Sequence, residues 1–128
     1  MSVQKKILIV DDDPALLDVC SRALANVGYT VFAASSAEEA RPYIDENKLD
    51  LLILDIYLPN QDGISLLKDV YNIDPSLSAI VITGYPAVNT VMDAIRLNVQ
   101  EYLCKPFTLP KLLGAVESSL QDTDEAKK

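Results

Sequence analysis

The chain has 128 residues, 49% hydrophobic and 23% charged, with a formal net charge of −8 and no histidine. That length and composition fit one compact domain with an apolar core and do not fit global disorder. The acidic balance disfavours direct nucleic-acid binding, and the lack of histidine removes Cys/His zinc sites and Ser/His or Cys/His dyads, which leaves carboxylate chemistry.

Short apolar runs alternate five times with longer segments of helical period. Residues 7–10 form the first strand. The first helix opens with Pro14, carries Leu16, Cys20, Ala23, Leu24 and Val27 on one stripe, and stops at Gly28. Residues 30–34 supply the second strand. Ser36 and Glu39 make a capping box for a second helix, in which Pro42 predicts a kink or an early end. After a third strand at 51–54, Asp62-Gly63 reads as a turn device, with Gly63 relieving the backbone before a third helix. That helix carries Ile64, Leu67, Val70 and Tyr71 and ends before Pro75. The fourth strand spans 79–82. A fourth helix shows Val88, Val91, Met92, Ile95 and Val99 at helical spacing, a fifth strand covers 101–104, and a fifth helix repeats the spacing with Leu109, Leu112, Leu113, Val116 and Leu120. Residues 1–121 form the domain, and 122–128 read as a frayed tail or linker stub.

Runs so uniformly apolar suit strands covered on both faces. With crossover helices between them they predict an α/β fold, a doubly wound five-stranded parallel sheet that binds ligands beyond the carboxyl ends of its strands. No run is long enough to span a bilayer and no apolar signal follows Met1, so a soluble cytoplasmic protein with no membrane partner is expected. Cys20 and Cys104 lack metal or CxxC spacing and read as reduced thiols.

The residues that end the apolar runs carry the chemistry. Val10 is followed by Asp11, Asp12 and Asp13, Leu54 by Asp55, Ile82 by Thr83 and Cys104 by Lys105. A parallel sheet brings these four ends to one rim. Asp11, Asp12 and Asp55 at close quarters repel one another unless a cation sits among them, and oxygen ligands sharing their site with a phosphate suit Mg²⁺, with Mn²⁺ able to substitute. One of Asp11 and Asp12 is expected to bind directly and the other through water. Phosphoryl transfer needs charge neutralisation and positioning. Asp55 is the expected nucleophile, with Lys105 and the Thr83 hydroxyl binding the phosphoryl oxygens.

The segments VDDDP (10–14), LDIYLPNQDG (54–63), TGYP (83–86) and EYLCKPF (101–107) resemble the receiver domains of bacterial two-component response regulators, most of all those attached to transcriptional activators. The resemblance spans about residues 5–121. It implies the flavodoxin-like strand order 2-1-3-4-5 and phosphorylation of Asp55 by a sensor histidine kinase or phosphotransfer protein. It further implies that Asp12, Asp55 and the backbone carbonyl of Tyr57 bind Mg²⁺ directly, and Asp11 through water. Thr83 and Tyr102 then act as a switch that reshapes the face built from the fourth helix, fifth strand and fifth helix. That face is a candidate homodimer contact, with Asp93, Arg96, Glu101 and Lys111 as polar candidates, and it would signal to a downstream effector domain or protein. Tyr57 and Tyr85 flank the phosphate and are expected to shield it from water. Lys105-Pro106 is expected to be cis. Asn98 and Val99 depart from the family's usual Gly-Ala, and Asn98 is expected to end the fourth helix in a left-handed conformation.

Two rival readings compete with this one. Asp11-x-Asp13 also opens haloacid-dehalogenase-like phosphatases, but the later acidic motif and the substrate cap such enzymes need are missing. A purely structural module with a dead pocket is disfavoured because every pocket residue is present.

Overall fold

A computed structural model of the chain describes residues 4–58, 63–84 and 99–126, the last five by backbone alone. Strands β1 (Lys6–Val10), β2 (Thr30–Ala34), β3 (Leu51–Asp55), β4 (Ser78–Thr83) and β5 (Val99–Cys104) pair in parallel in the order β2-β1-β3-β4-β5. Among the described residues the helices are α1 (Pro14–Val27), α2 (Ala37–Glu46), α3 (Gly63–Ile73) and α4 (Leu109–Ala126). This is the expected doubly wound α/β sheet. None of these helices is long and apolar enough to cross a membrane.

Local chemistry explains the helix ends. Asp13 caps α1, its Oδ1 accepting from Ala15 N at 3.0 Å and Leu16 N at 3.4 Å, and Gly28 closes the helix at φ 115°, a left-handed conformation that favours glycine. Ser36 Oγ accepts from Glu39 N at 3.1 Å to open α2. The Glu39 carboxylate returns to Ser35 instead of Ser36, accepting from its N at 3.3 Å and its Oγ at 2.5 Å, so the capping box is displaced by one residue. Pro42 does not shorten α2, which runs ten residues to Glu46. Both Pro42 and Glu38 are exposed, so water can reach the Glu38 carbonyl that proline leaves without a helical donor. On α1 the buried residues are Leu17, Cys20 and Leu24, while Val27 is 56% exposed, so the stripe is rotated from the expected one. The last helix, α4, continues to Ala126, into the segment that the sequence reads as a tail.

The period over 88–99 lies outside the described residues except for Val99, and there the expectation is corrected. Val99 opens β5 in register with Ala79, where a β-branched side chain suits the pleated surface. Asn98 also lies outside the described residues.

Strand alternation divides the core in two. Leu8, Val10, Leu52, Leu54, Ala79 and Val81 pack with α2 and α3, whereas Ile7, Ile9, Leu51, Ile53, Ile80, Ile82 and Leu103 pack with α1 and α4. Every residue of β3 and β4 is buried. The edge strands β2 and β5 are only partly covered, contrary to the uniform burial expected of all five runs. The ladder between β4 and β5 slips by one residue: Ala79 pairs with Val99 but Ile80 with Glu101, leaving Gln100 as a bulge. Val99 and Tyr102, three residues apart, consequently both pack on the α2/α3 side.

Candidate functional site

The carboxyl ends of β1, β3, β4 and β5 converge as expected. Asp11 leaves β1 with its backbone N–H on Ala34 O at 3.1 Å and its side chain fully buried. Its Oδ1 accepts from Asp13 N at 2.9 Å. Asp13, an acid in the sequence motif, thus caps α1 and orients Asp11 through its own N–H. Asp12 is exposed. Asp55 ends β3, nearly buried, with Oδ1 accepting from Tyr57 N at 2.9 Å. Carboxylate oxygens of Asp11, Asp12 and Asp55 lie within 4.8 Å of one another.

Lys105 reaches into this group from the end of β5. Its Nζ donates to Asp55 Oδ2 at 2.9 Å and forms an ion pair with Asp11 Oδ2 at 2.7 Å, the latter off the direction of a hydrogen bond. The Lys105 N–H donates to Thr83 O at 2.9 Å, which ties the ends of β4 and β5 together, and the Lys105-Pro106 bond is cis as expected. Burial pushes the Asp11 carboxyl above its ordinary range, and the adjacent ammonium opposes that shift only in part. Burial pulls Lys105 down, but its interactions with Asp11 and Asp55 outweigh it and hold the ammonium above its usual value. Burial, reinforced by the Asp11 charge, also raises the Cys20 thiol, which keeps it protonated and inert.

The donor set fits a hard divalent cation. Three carboxylates against one ammonium leave a formal charge of about −2 to be met, and every donor is oxygen.

Thr83 is fully buried at the end of β4 and Tyr102 is half-buried on β5, packed against the α2/α3 core. Tyr57 is 43% exposed beside Asp55. Glu101 and Lys111 are on β5 and α4, while Tyr85, Asp93 and Arg96 lie outside the described residues. The sequence does not announce the role of Gly63. Its N–H donates to Ile56 O at 2.9 Å and a Cβ on it would strike the Asp55–Ile56 backbone, so close approach is what requires glycine there, and not a positive φ.

Beside the acidic cluster lies a groove of about 600 Å³, lined by Asp13, Ala15, Leu16, Val19 and Cys20 of the first helix region and by Lys105 to Phe107 and Leu109. Lys105 is common to both.

The family model for the response regulator receiver domain matches residues 7–117. The transcriptional regulatory protein ZraR of Escherichia coli K12 is 31% identical over 117 residues, which cover 91% of this chain and 26% of that protein; the chain thus spans about a quarter of such relatives. A CheY-like receiver domain protein from Methanospirillum hungatei superposes with a TM-score of 0.94 at 31% identity, covering 97% of this chain and 99% of that one. The NtrC4 receiver domain, in a structure described as a beryllofluoride-activated dimer, gives 0.87 at 29% identity over 94% of this chain and 99% of that one. With the family match spanning most of its length, and its acidic rim at the carboxyl ends of a 2-1-3-4-5 sheet, the chain belongs to the response regulator receiver domains of two-component signalling.

Proposed function

We propose that this receiver accepts a phosphoryl group on Asp55 from a sensor histidine kinase or phosphotransfer protein. The supporting observation is the convergence of three carboxylates within 4.8 Å around an ammonium 2.7 and 2.9 Å from two of them. An Asp55 carboxylate oxygen attacks phosphorus in line, the P–O bond to Asp55 forms as the bond to the donor's nitrogen breaks, and that nitrogen keeps the electron pair. Tyr57 N–H holds one Asp55 oxygen in place. Lys105 moves its charge from the carboxylates to a phosphoryl oxygen, and Thr83 donates its hydroxyl to another. Asp12, Asp55 and the Tyr57 carbonyl would hold Mg²⁺ directly and Asp11 through water; bound there, the ion supplies charge neutralisation for the transferring group. The apolar groove that shares Lys105 with the pocket is suited to dock the phosphodonor's helix.

Phosphorylation then draws Thr83 toward the phosphate and lets Tyr102 turn inward, which alters the surface around β5 and α4. That surface would contact a second copy of the chain or a downstream effector, the dimeric NtrC4 neighbour supporting the first. Tyr57, with Tyr85, would shield the acyl phosphate from water. Autodephosphorylation and phosphotransfer are self-catalysed steps of a signalling module, not turnover of a metabolite, and the site of work is the cytoplasm.

Intact-mass measurement with Mg²⁺ and acetyl phosphate tests the reading. One added phosphate is expected for the wild-type chain and for Asp11→Asn, and none for Asp55→Asn. A phosphate that survives Asp55→Asn, or a wild-type chain that takes none from acetyl phosphate or a kinase, would overturn it.

A further inference from the structure

Gly63 has no room for a side chain. A Cβ there would lie 2.5 Å from Ile56 Cα, 2.7 Å from Asp55 O and 2.8 Å from Ile56 C, whereas ordinary contact begins at 3.4 Å. All three are backbone atoms, so no change of rotamer relieves the contact. They also belong to the segment that carries Asp55 and presents the Tyr57 N–H to its Oδ1.

We propose that Gly63 is a positioning residue for Asp55: its missing side chain lets the start of α3 lie against the Asp55–Ile56 backbone and fix the segment that aims the carboxylate. The inference rests on Asp55 being the phosphoacceptor. Three elements meet at this contact, and they differ in how far they can yield. β3 is hydrogen-bonded between β1 and β4 and buried throughout. α3 is anchored by buried Ile64, Leu66, Leu67 and Val70. Residues 56–58 are outside regular structure, with Ile56 and Leu58 buried in the α2/α3 core and Tyr57, between them, exposed. An added Cβ therefore displaces residues 56–58, opening the contact from 2.5 Å to 3.4 Å, a movement of about 0.9 Å. The Tyr57 N–H moves with them and releases Asp55. A misplacement of about 1 Å near a reacting group can cost on the order of 10²-fold in rate.

Two other glycines supply comparators. Gly28 has φ 115° with nothing within 4 Å of an added Cβ, and Gly114 is equally open. Gly28→Ala destabilises the chain through backbone strain far from the site, and Gly114→Ala carries neither strain nor contact.

Phosphorylation by acetyl phosphate at saturating Mg²⁺ is followed by intact mass, at a temperature where melting curves show each variant folded. Gly63→Ala is expected to lose on the order of 10²-fold in rate, while Gly28→Ala, despite its lower melting temperature, and Gly114→Ala phosphorylate like wild type. Tyr57→Pro, which removes the orienting N–H without adding a contact at Gly63, is expected to share the loss. A folded Gly63→Ala chain at wild-type rate would overturn the proposal, and so would a folded Tyr57→Pro chain at wild-type rate; the second decides the matter if Gly63→Ala does not fold. Failure of the phosphoacceptor reading shows separately, as a wild-type chain that takes up no phosphate.

Discussion

The two sides of the sheet contribute different things to one rim. Asp11, Asp55 and Lys105 continue the alternation of Ile9, Ile53 and Leu103, which face α1 and α4. Thr83 and Tyr102 continue the alternation of Val81, which faces α2 and α3. The residues proposed to take the phosphate thus belong to one side and those proposed to report it to the other. They meet where β4 and β5 end, at the Lys105 N–H bond to Thr83 O. On that proposal, such a division would let the acceptor group be assembled rigidly while leaving the reporting residues able to take a second arrangement.

The strongest attack on the division is Lys105→Ala, which removes the cation from the acceptor side. Phosphorylation by acetyl phosphate is expected to slow by about 10²- to 10³-fold, the usual effect of deleting one preorganised charge partner, with Tyr102 unchanged in nitration rate before phosphorylation. Next come paired core truncations. Ile53→Ala and Leu54→Ala point to opposite sides from adjacent, fully buried positions, and each should cost about 2–5 kcal/mol in denaturant unfolding. A well-tolerated change on one side alone would show that the two halves of the core are not equally packed. Thr83→Ala sharpens the comparison from the reporting side. Phosphate uptake measured by mass should stay within about tenfold, the scale of one neutral hydrogen bond, but the nitration rate of Tyr102 should no longer respond to phosphorylation. The smallest effect is expected from Arg41→Ala. The Arg41–Asp69 pair joins α2 to α3 at 2.7 Å, but both side chains are more than one-third exposed, so its loss should cost less than about 1 kcal/mol in urea unfolding.

Most of the acceptor side is legible in the sequence because each of its residues immediately follows an apolar run, and a parallel sheet gathers run ends whatever lies between them. Asp11, Asp55 and Lys105 need nothing beyond that rule, and the strand order comes from family resemblance. What escapes depends on contacts between distant backbones. Nothing local to Gly63 announces that it must lie against Ile56, so it reads as an ordinary turn glycine. Val99 sits at helical spacing from Ile95, and only its pairing with Ala79 makes it a strand residue. The shift of Glu39 from Ser36 to Ser35 is a choice between two adjacent hydroxyl-bearing residues, which spacing cannot make. The helical period assigns Val27 to the core, but at the last turn of α1 the chain is already turning at Gly28 and the side chain points to water.

The bulge at Gln100 gives β5 one residue of slack, and the slack runs in one direction only. Two residues of β5, Gln100 and Glu101, span a single step of β4, so loss of Gln100 would leave Val99 opposite Ala79, Glu101 opposite Ile80 and every side chain on its present side. Loss of a residue between Glu101 and Cys104 would instead draw Gln100 into the ladder opposite Ile80 and turn Glu101 toward the α2/α3 core, while Lys105 stays fastened to Asp11 and Asp55. An added residue finds no such reserve, because the strand already carries its extra one and the far end is tied down. This edge of the sheet should therefore shorten by one residue more readily than it lengthens.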